Sequence, residues 1–143
     1  MVLNVILAIL VLSIIVIVHE FGHFIIAKAN GITVVEFSIG FGPKLIHFRK
    51  GETEYCIKAL PFGGACTMLG DEFLEMSVIQ SEEDDDEELT DEEKEAKKRK
   101  LAIENGYDME KSFASKSVWA RIAVIAAGPV FNFILAFILS VII

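Results

Sequence analysis

A mainly α-helical membrane protein is the fold class this sequence predicts. It has two transmembrane helices with a small membrane-associated β-hairpin or sheet and a charged cytoplasmic insert between them. Three observations carry that expectation. The chain has 143 residues, 53% of them hydrophobic, and a mean hydropathy of +0.52, more apolar than a soluble domain of one core requires. The apolar residues gather at the two ends, Met1 to Val18 and Val118 to Ile143. At about 1.5 Å per helical residue, each run crosses or nearly crosses a ~30 Å hydrocarbon layer. All 13 Lys and Arg residues lie between Lys28 and Arg121. The expected division is 1–30 for the first helix, 31–66 for the β element, 67–116 for the acidic insert and 117–143 for the second helix.

The first helix holds the one stretch with evident chemistry, His19-Glu20-Phe21-Gly22-His23, an H-E-x-x-H pattern. On a helix the two imidazoles fall about 40° apart and can hold one metal ion between them. Zinc accepts imidazole nitrogen and lowers the pKa of a bound water to about 7, and Glu20 stands where a general base would take that proton. The motif alone recurs by chance, but its setting sharpens it. No charged residue occurs from Met1 to Ile17, and ionisable groups in so apolar a segment are costly and usually functional. The plainer account, buried neutral histidines with Glu20 paired to Lys28, fits that setting less well. A cleaved signal peptide is also disfavoured. No Lys or Arg precedes His19, the apolar run outlasts a typical h-region, and cutting at Ala27-Lys28-Ala29 would discard the motif.

The helix is expected to stop at Asn30-Gly31. Thr33 to Ile39 is then rich in β-branched and aromatic residues, Gly40-Phe41-Gly42-Pro43 is turn chemistry, and Lys44 to Phe48 resumes an extended pattern. A hairpin is expected there, with a third strand over Thr53 to Lys58. So small a sheet needs support from the helices or the membrane face near the metal. An exposed edge could receive an unwound substrate segment by strand addition, or the element could be a plain structural plug. His47 reads as a surface strand residue. Cys56 and Cys66 have no metal-binding spacing and read as reduced bystanders.

From Asp71 to Glu95 there are 14 acidic residues, a self-repelling, solvated run. Thr90-Asp91-Glu92-Glu93 is a capping-box pattern, and a short exposed helix is expected from Asp91 to Glu104. The basic group Lys97-Lys98-Arg99-Lys100 reads as a solvated face, with contact to anionic lipid as the other reading. The net charge of −8 argues against nucleic acid as a partner.

By the positive-inside rule the middle of the chain is cytoplasmic and both termini lie on the other side. Trp119 and Arg121 suit an interfacial anchor. Inside the second span lie Gly128, Pro129 and Asn132. Gly128 permits close packing, Pro129 removes a backbone hydrogen bond, and Asn132 is an amide that needs a partner. That partner is either the other helix, or else a substrate backbone or the sheet beside the metal.

With these residues in view, the chain resembles the amino-terminal part of a site-2 protease, of the bacterial branch that cleaves membrane-spanning regulators such as anti-sigma factors. The resemblance runs through His19 to His23, Glu36 to Pro43, Leu60 to Gly64 with Met68 to Glu72, and Ser117 to Ala136 with its Gly-Pro-x-x-Asn. It implies zinc held by His19 and His23, Glu20 as general base, and a membrane-associated β element around Gly40, Phe41 and Gly42 near the site. Gly40, Phe41, Gly42 and Asn132 are the candidate substrate contacts. The resemblance further implies residence in the bacterial inner membrane. It also implies a third ligand, an Asp in a Leu-Asp-Gly motif on a later helix. No Leu-Asp-Gly occurs here, and Asp71, in Leu69-Gly70-Asp71, has the wrong flanks. Activity is therefore expected to need the remaining carboxy-terminal helices. Two other classes remain: an H-E-x-x-H peptidase using Glu52 or Glu54, and a non-catalytic membrane adaptor displaying the acidic segment.

Overall fold

The computed structural model describes residues 1–70 and 106–143, together with residues 96, 100, 103 and 104. The acidic run, the capping box at Thr90 and Asp71 lie outside the described residues. Of the helix expected over 91–104, the four described residues are helical.

Helix α1 spans Val2–Ala29. It ends where expected, and the reason is visible in its last turn. Gly31 takes φ 68°, which lets the N–H of Ile32 reach the carbonyl of Ala27 at 2.9 Å and its own N–H reach Lys28 at 3.1 Å. This is the paired closure of a Schellman motif. The second long helix, α2, spans Val118–Ile142 and begins at Ser117, whose Oγ accepts from the Ala120 N–H at 3.3 Å. Both helices are long and apolar enough to cross a membrane. Their outer faces expose Leu, Ile, Val and Phe nearly all round, a pattern suited to hydrocarbon rather than water.

Between them, β1 (Val34–Lys50) and β2 (Thr53–Met68) form an antiparallel pair. Each strand is bent, so the register contains two runs from each. Residues 44–50 pair with 53–58 in a hairpin closed at Lys50↔Thr53. Residues 36–39 pair antiparallel with 64–67, from Glu36↔Thr67 to Ile39↔Gly64. The same residues also face 54–57, and along Glu36↔Glu54 to Ile39↔Ile57 both numbers rise together, so this contact runs parallel. Run 36–39 is thus interior, while 44–50 and 64–68 are the two edges.

This arrangement corrects the expected hairpin at Gly40 to Pro43. Its arms, 33–39 and 44–48, do not pair with each other, because residues 53–58 lie between them. The tight turn is at Gly51, with φ 63°. A two-residue loop with glycine first suits the twist of a hairpin, whereas the Gly40 to Pro43 bend must pass over an intervening run. The segment 64–68, where no strand was expected, is an edge strand.

The two bends meet at the same end of the sheet, where Phe41 pairs with Leu60. That end lies against α1: Ser13 Oγ donates to the Pro61 carbonyl at 2.5 Å. Ser13 precedes His19 by six residues, about 9 Å along the helix. The sheet exposes Phe41, Leu45, Ile46, Phe48, Leu60 and Phe62. Ion pairs stitch its runs together. Lys44 Nζ lies 2.9 Å from Glu36 and 2.8 Å from Glu54, and Lys58 Nζ lies 2.9 Å from Glu36.

At the opposite end a small core of Ala27, Ile32, Val34, Met68 and Val124 joins the end of α1, the sheet and the first turns of α2. Backbone bonds close this junction: Thr33 N–H to Lys111 O (2.8 Å), Leu69 N–H to Thr33 O (2.9 Å) and Phe113 N–H to Leu69 O (2.7 Å). Glu52 joins it by accepting from Lys111 and Thr33, which hold its carboxyl below the usual value.

Candidate metal centre

The site is built where α1, α2 and the inner edge of the sheet converge. Ligand atoms of His19, Glu20 and His23 all lie within 4.8 Å of one another. The two imidazoles are 4.8 Å apart between centroids and nearly perpendicular, at 80°, so one helical turn brings both nitrogens to one side.

Helix α2 fixes the outer nitrogens. His23 Nδ1 lies 2.7 Å from the carbonyl of Val124. A carbonyl can only accept, so Nδ1 carries the proton and the Nε2 lone pair is left open. His19 Nδ1 lies 3.2 Å from the side-chain amide of Asn132. Between these two contacts stands Gly128. A Cβ there would sit 2.5 Å from Nε2 of both histidines. Val124, Gly128 and Asn132 follow at intervals of four, on one face of α2. The missing side chain therefore leaves the space that Nε2 of both histidines borders. Close approach of the helices also depends on Gly22, within the motif, where a Cβ would come 2.7 Å from the Ala127 carbonyl.

The sheet supplies the other wall. Glu20 Oε2 accepts from the backbone N–H of Cys66 at 3.0 Å. Since 64–68 is an edge run, this N–H points away from the sheet interior. A cleft of about 350 Å³ opens there, lined by Glu20, His23, Cys66, Met68, Phe113 and Val124 among others.

The donor set suits zinc: two imidazole nitrogens and a carboxylate around a gap that one methyl group would fill. Catalytic zinc ordinarily takes three protein ligands. With Glu20 reserved as a base, two of the three are present among the described residues.

Of the residues singled out by sequence, His19, Glu20, His23 and Asn132 come together. Gly40, Phe41 and Gly42 lie at the bend of the sheet, and none of them lines the cleft. His47 is exposed on β1, 3.3 Å from Glu54. Glu52 and Glu54 stand on the hairpin, bonded to Lys111 and Lys44. Cys66 and Val124 were not singled out for the site, because each contributes a backbone group that carries no side-chain signal.

A model of peptidase family M50 matches residues 7–143. The chain belongs to this family, that of the site-2 proteases. It is similar to a protein of Clostridium acetobutylicum with a provisional zinc metalloprotease name, 36% identical over 136 residues, covering 95% of this chain and 31% of the relative. It is similar also to the regulator of sigma-W protease RasP of Bacillus subtilis, 33% identical over 187 aligned residues, covering 96% and 44%. The metalloprotease MmpA of Caulobacter vibrioides is 37% identical over 128 residues, covering 88% and 29%. The chain thus spans less than half the length of each of these relatives.

Proposed function

We propose that this chain carries the two-histidine metal site and the general base of an intramembrane zinc metalloendopeptidase. One observation carries the reading: Nε2 of His19 and Nε2 of His23 face the same gap opposite Gly128, with the Glu20 carboxylate beside it. His19 and His23 are the zinc ligands. Bound zinc supplies Lewis acidity and lowers the pKa of water to about 7.

Glu20 takes the proton of the attacking water and passes it to the leaving amide nitrogen. Its Oε2 is held by the Cys66 N–H, which leaves Oε1 to face the substrate. The substrate is an unwound segment of a membrane-spanning regulatory protein, such as an anti-sigma factor, in keeping with the sigma-W name of one relative. That segment lies along the open edge 64–68, beside the metal. Asn132 and the bend at Gly40, Phe41 and Gly42 guide it.

The third ligand comes from helices beyond this chain, so hydrolysis requires the rest of the protease. The protein resides in the inner membrane of a bacterial cell. Its middle segment, which holds all 13 Lys and Arg residues, faces the cytoplasm and both termini face outward. The sheet lies in the membrane face, its apolar bends beside the apolar part of α1.

The test is zinc content, by elemental analysis of the purified chain in detergent, with His19→Ala and His23→Ala alongside. Alongside it, cleavage of a transmembrane substrate is followed in the full-length protease. Zinc lost in both variants, with cleavage lost in parallel, is the expected result. Zinc binding indifferent to both histidines sinks the reading and favours the adaptor.

A further inference from the structure

The two histidines differ in how their outer nitrogens are held, and the difference assigns a role to Asn132. For His23 the partner is the Val124 carbonyl, which can only accept. For His19 the partner is a side-chain amide, one end of which donates while the other accepts. As placed, Nδ2 of Asn132 stands 3.2 Å from His19 Nδ1, and Oδ1 is buried without a partner among the described residues. In that orientation the amide donates, so His19 Nδ1 must be bare and Nε2 must carry the proton. That proton would point into the gap at Gly128 and block the lone pair a metal needs.

Rotating the amide by half a turn exchanges two ends of nearly identical shape. Oδ1 then accepts from Nδ1–H and leaves Nε2 open, which matches the state the Val124 carbonyl imposes on His23. One amide end lacks a partner in either orientation, so the burial of Asn132 does not choose between them; the need for two open nitrogens at Gly128 does. We propose that Asn132 is a positioning residue which, through Oδ1, holds His19 in the Nδ1–H form with Nε2 directed at the metal. This rests on the zinc reading above. It places both outer contacts on one face of α2, at Val124 and Asn132, four residues either side of Gly128.

The experiment uses the 143-residue chain in detergent micelles, ¹⁵N-labelled at histidine, without metal and at mildly alkaline pH where imidazole is neutral. Nitrogen chemical shifts report which ring nitrogen of each histidine carries the proton. Asn132→Asp keeps an acceptor of the same shape, and Asn132→Leu removes it. His19 should be protonated on Nδ1 in the unmutated chain and in Asn132→Asp, and should move toward Nε2 in Asn132→Leu. His23 should stay on Nδ1 throughout, which shows that α2 remains docked.

Zinc affinity, by competition with a chelator, should fall roughly ten- to hundred-fold in Asn132→Leu and be retained in Asn132→Asp. His19 protonated on Nε2 in the unmutated chain overturns the proposal. So does an equal loss of zinc affinity in both variants, which would mark Asn132 as a packing residue. Zinc binding indifferent to His19→Ala and His23→Ala, with His19 still on Nδ1, supports the hydrogen bond while refuting the metal reading.

Discussion

The backbone N–H of Cys66 donates to Oε2 of Glu20 across 3.0 Å, joining the edge of the sheet to the middle of the H-E-x-x-H turn. A proline is tolerated on an edge strand whose N–H faces outward. Cys66→Pro should therefore keep the pairing of 64–67 with 36–39 and lose the tether on Glu20. A hydrogen bond to a charged acceptor contributes about 1.5–3 kcal/mol, so cleavage by the full-length protease should drop roughly 10- to 100-fold. Zinc content should not change; loss of zinc in this variant would show that the tether shapes the metal site itself.

Replacing the proposed base, Glu20, should have a larger effect. Glu20→Gln should lower cleavage of a transmembrane substrate by about 10²–10⁴-fold. Zinc should remain bound, since the proposed ligands are His19 and His23. Turnover measured beside metal content separates the roles, and unimpaired cleavage would remove Glu20 from the chemistry.

Gly128→Ala puts a methyl group 2.5 Å from both open nitrogens. The expected outcome is loss of stoichiometric zinc with helicity by circular dichroism unchanged. Full zinc occupancy in this variant would mean that the metal does not lie in the gap between the histidines and α2.

Glu36 ties the sheet together. Burial pushes its carboxyl up, yet its bonds to Lys44 and Lys58 outweigh that effect and hold it below its ordinary value of 4.5. A depressed carboxyl contributes stability that is whole above the unfolded pKa and is lost as pH falls through the folded one. Glu36→Gln should cost about 1–2 kcal/mol near neutrality, the range between exposed and buried ion pairs. Thermal unfolding in detergent should show that difference shrinking as pH drops below about 4.5. A gap that stays constant down to strongly acid pH would show that the charge of Glu36 is immaterial.

Placement of the sheet is tested by cysteine labelling, with Cys56 and Cys66 first replaced by serine. Lys50→Cys, beside the charged turn, should react with a membrane-impermeant maleimide in inverted vesicles and not in intact spheroplasts. Phe41→Cys, at the apolar bend, should be protected in both. Reaction of Phe41→Cys from the aqueous phase would place the bend in water.

Much of this was legible in the sequence, because the strongest signals were local. The stop at Asn30-Gly31, the start after Ser117 and the clustering of His19, Glu20 and His23 all follow from contacts within one or two helical turns. The sheet was read less well. The glycines of Gly63 and Gly64 resemble turn chemistry, and nothing in the residues 33–48 announces that 53–58 will enter between the two arms. Pairing between distant runs depends on register, which a single sequence encodes weakly. The partner of Asn132 was left open between two choices for a similar reason: it lies 113 residues away, on His19.

The closed junction of Thr33, Leu69, Lys111 and Phe113 has a use apart from catalysis. The backbone bonds of this clasp join Leu69, just before Gly70, to Phe113 and, through Thr33, to Lys111, both a few residues after Gly106. A reporter domain spliced between Gly70 and Gly106 should leave zinc content and the labelling pattern of the sheet as they are. Loss of zinc after the splice would show that the metal site depends on the residues between.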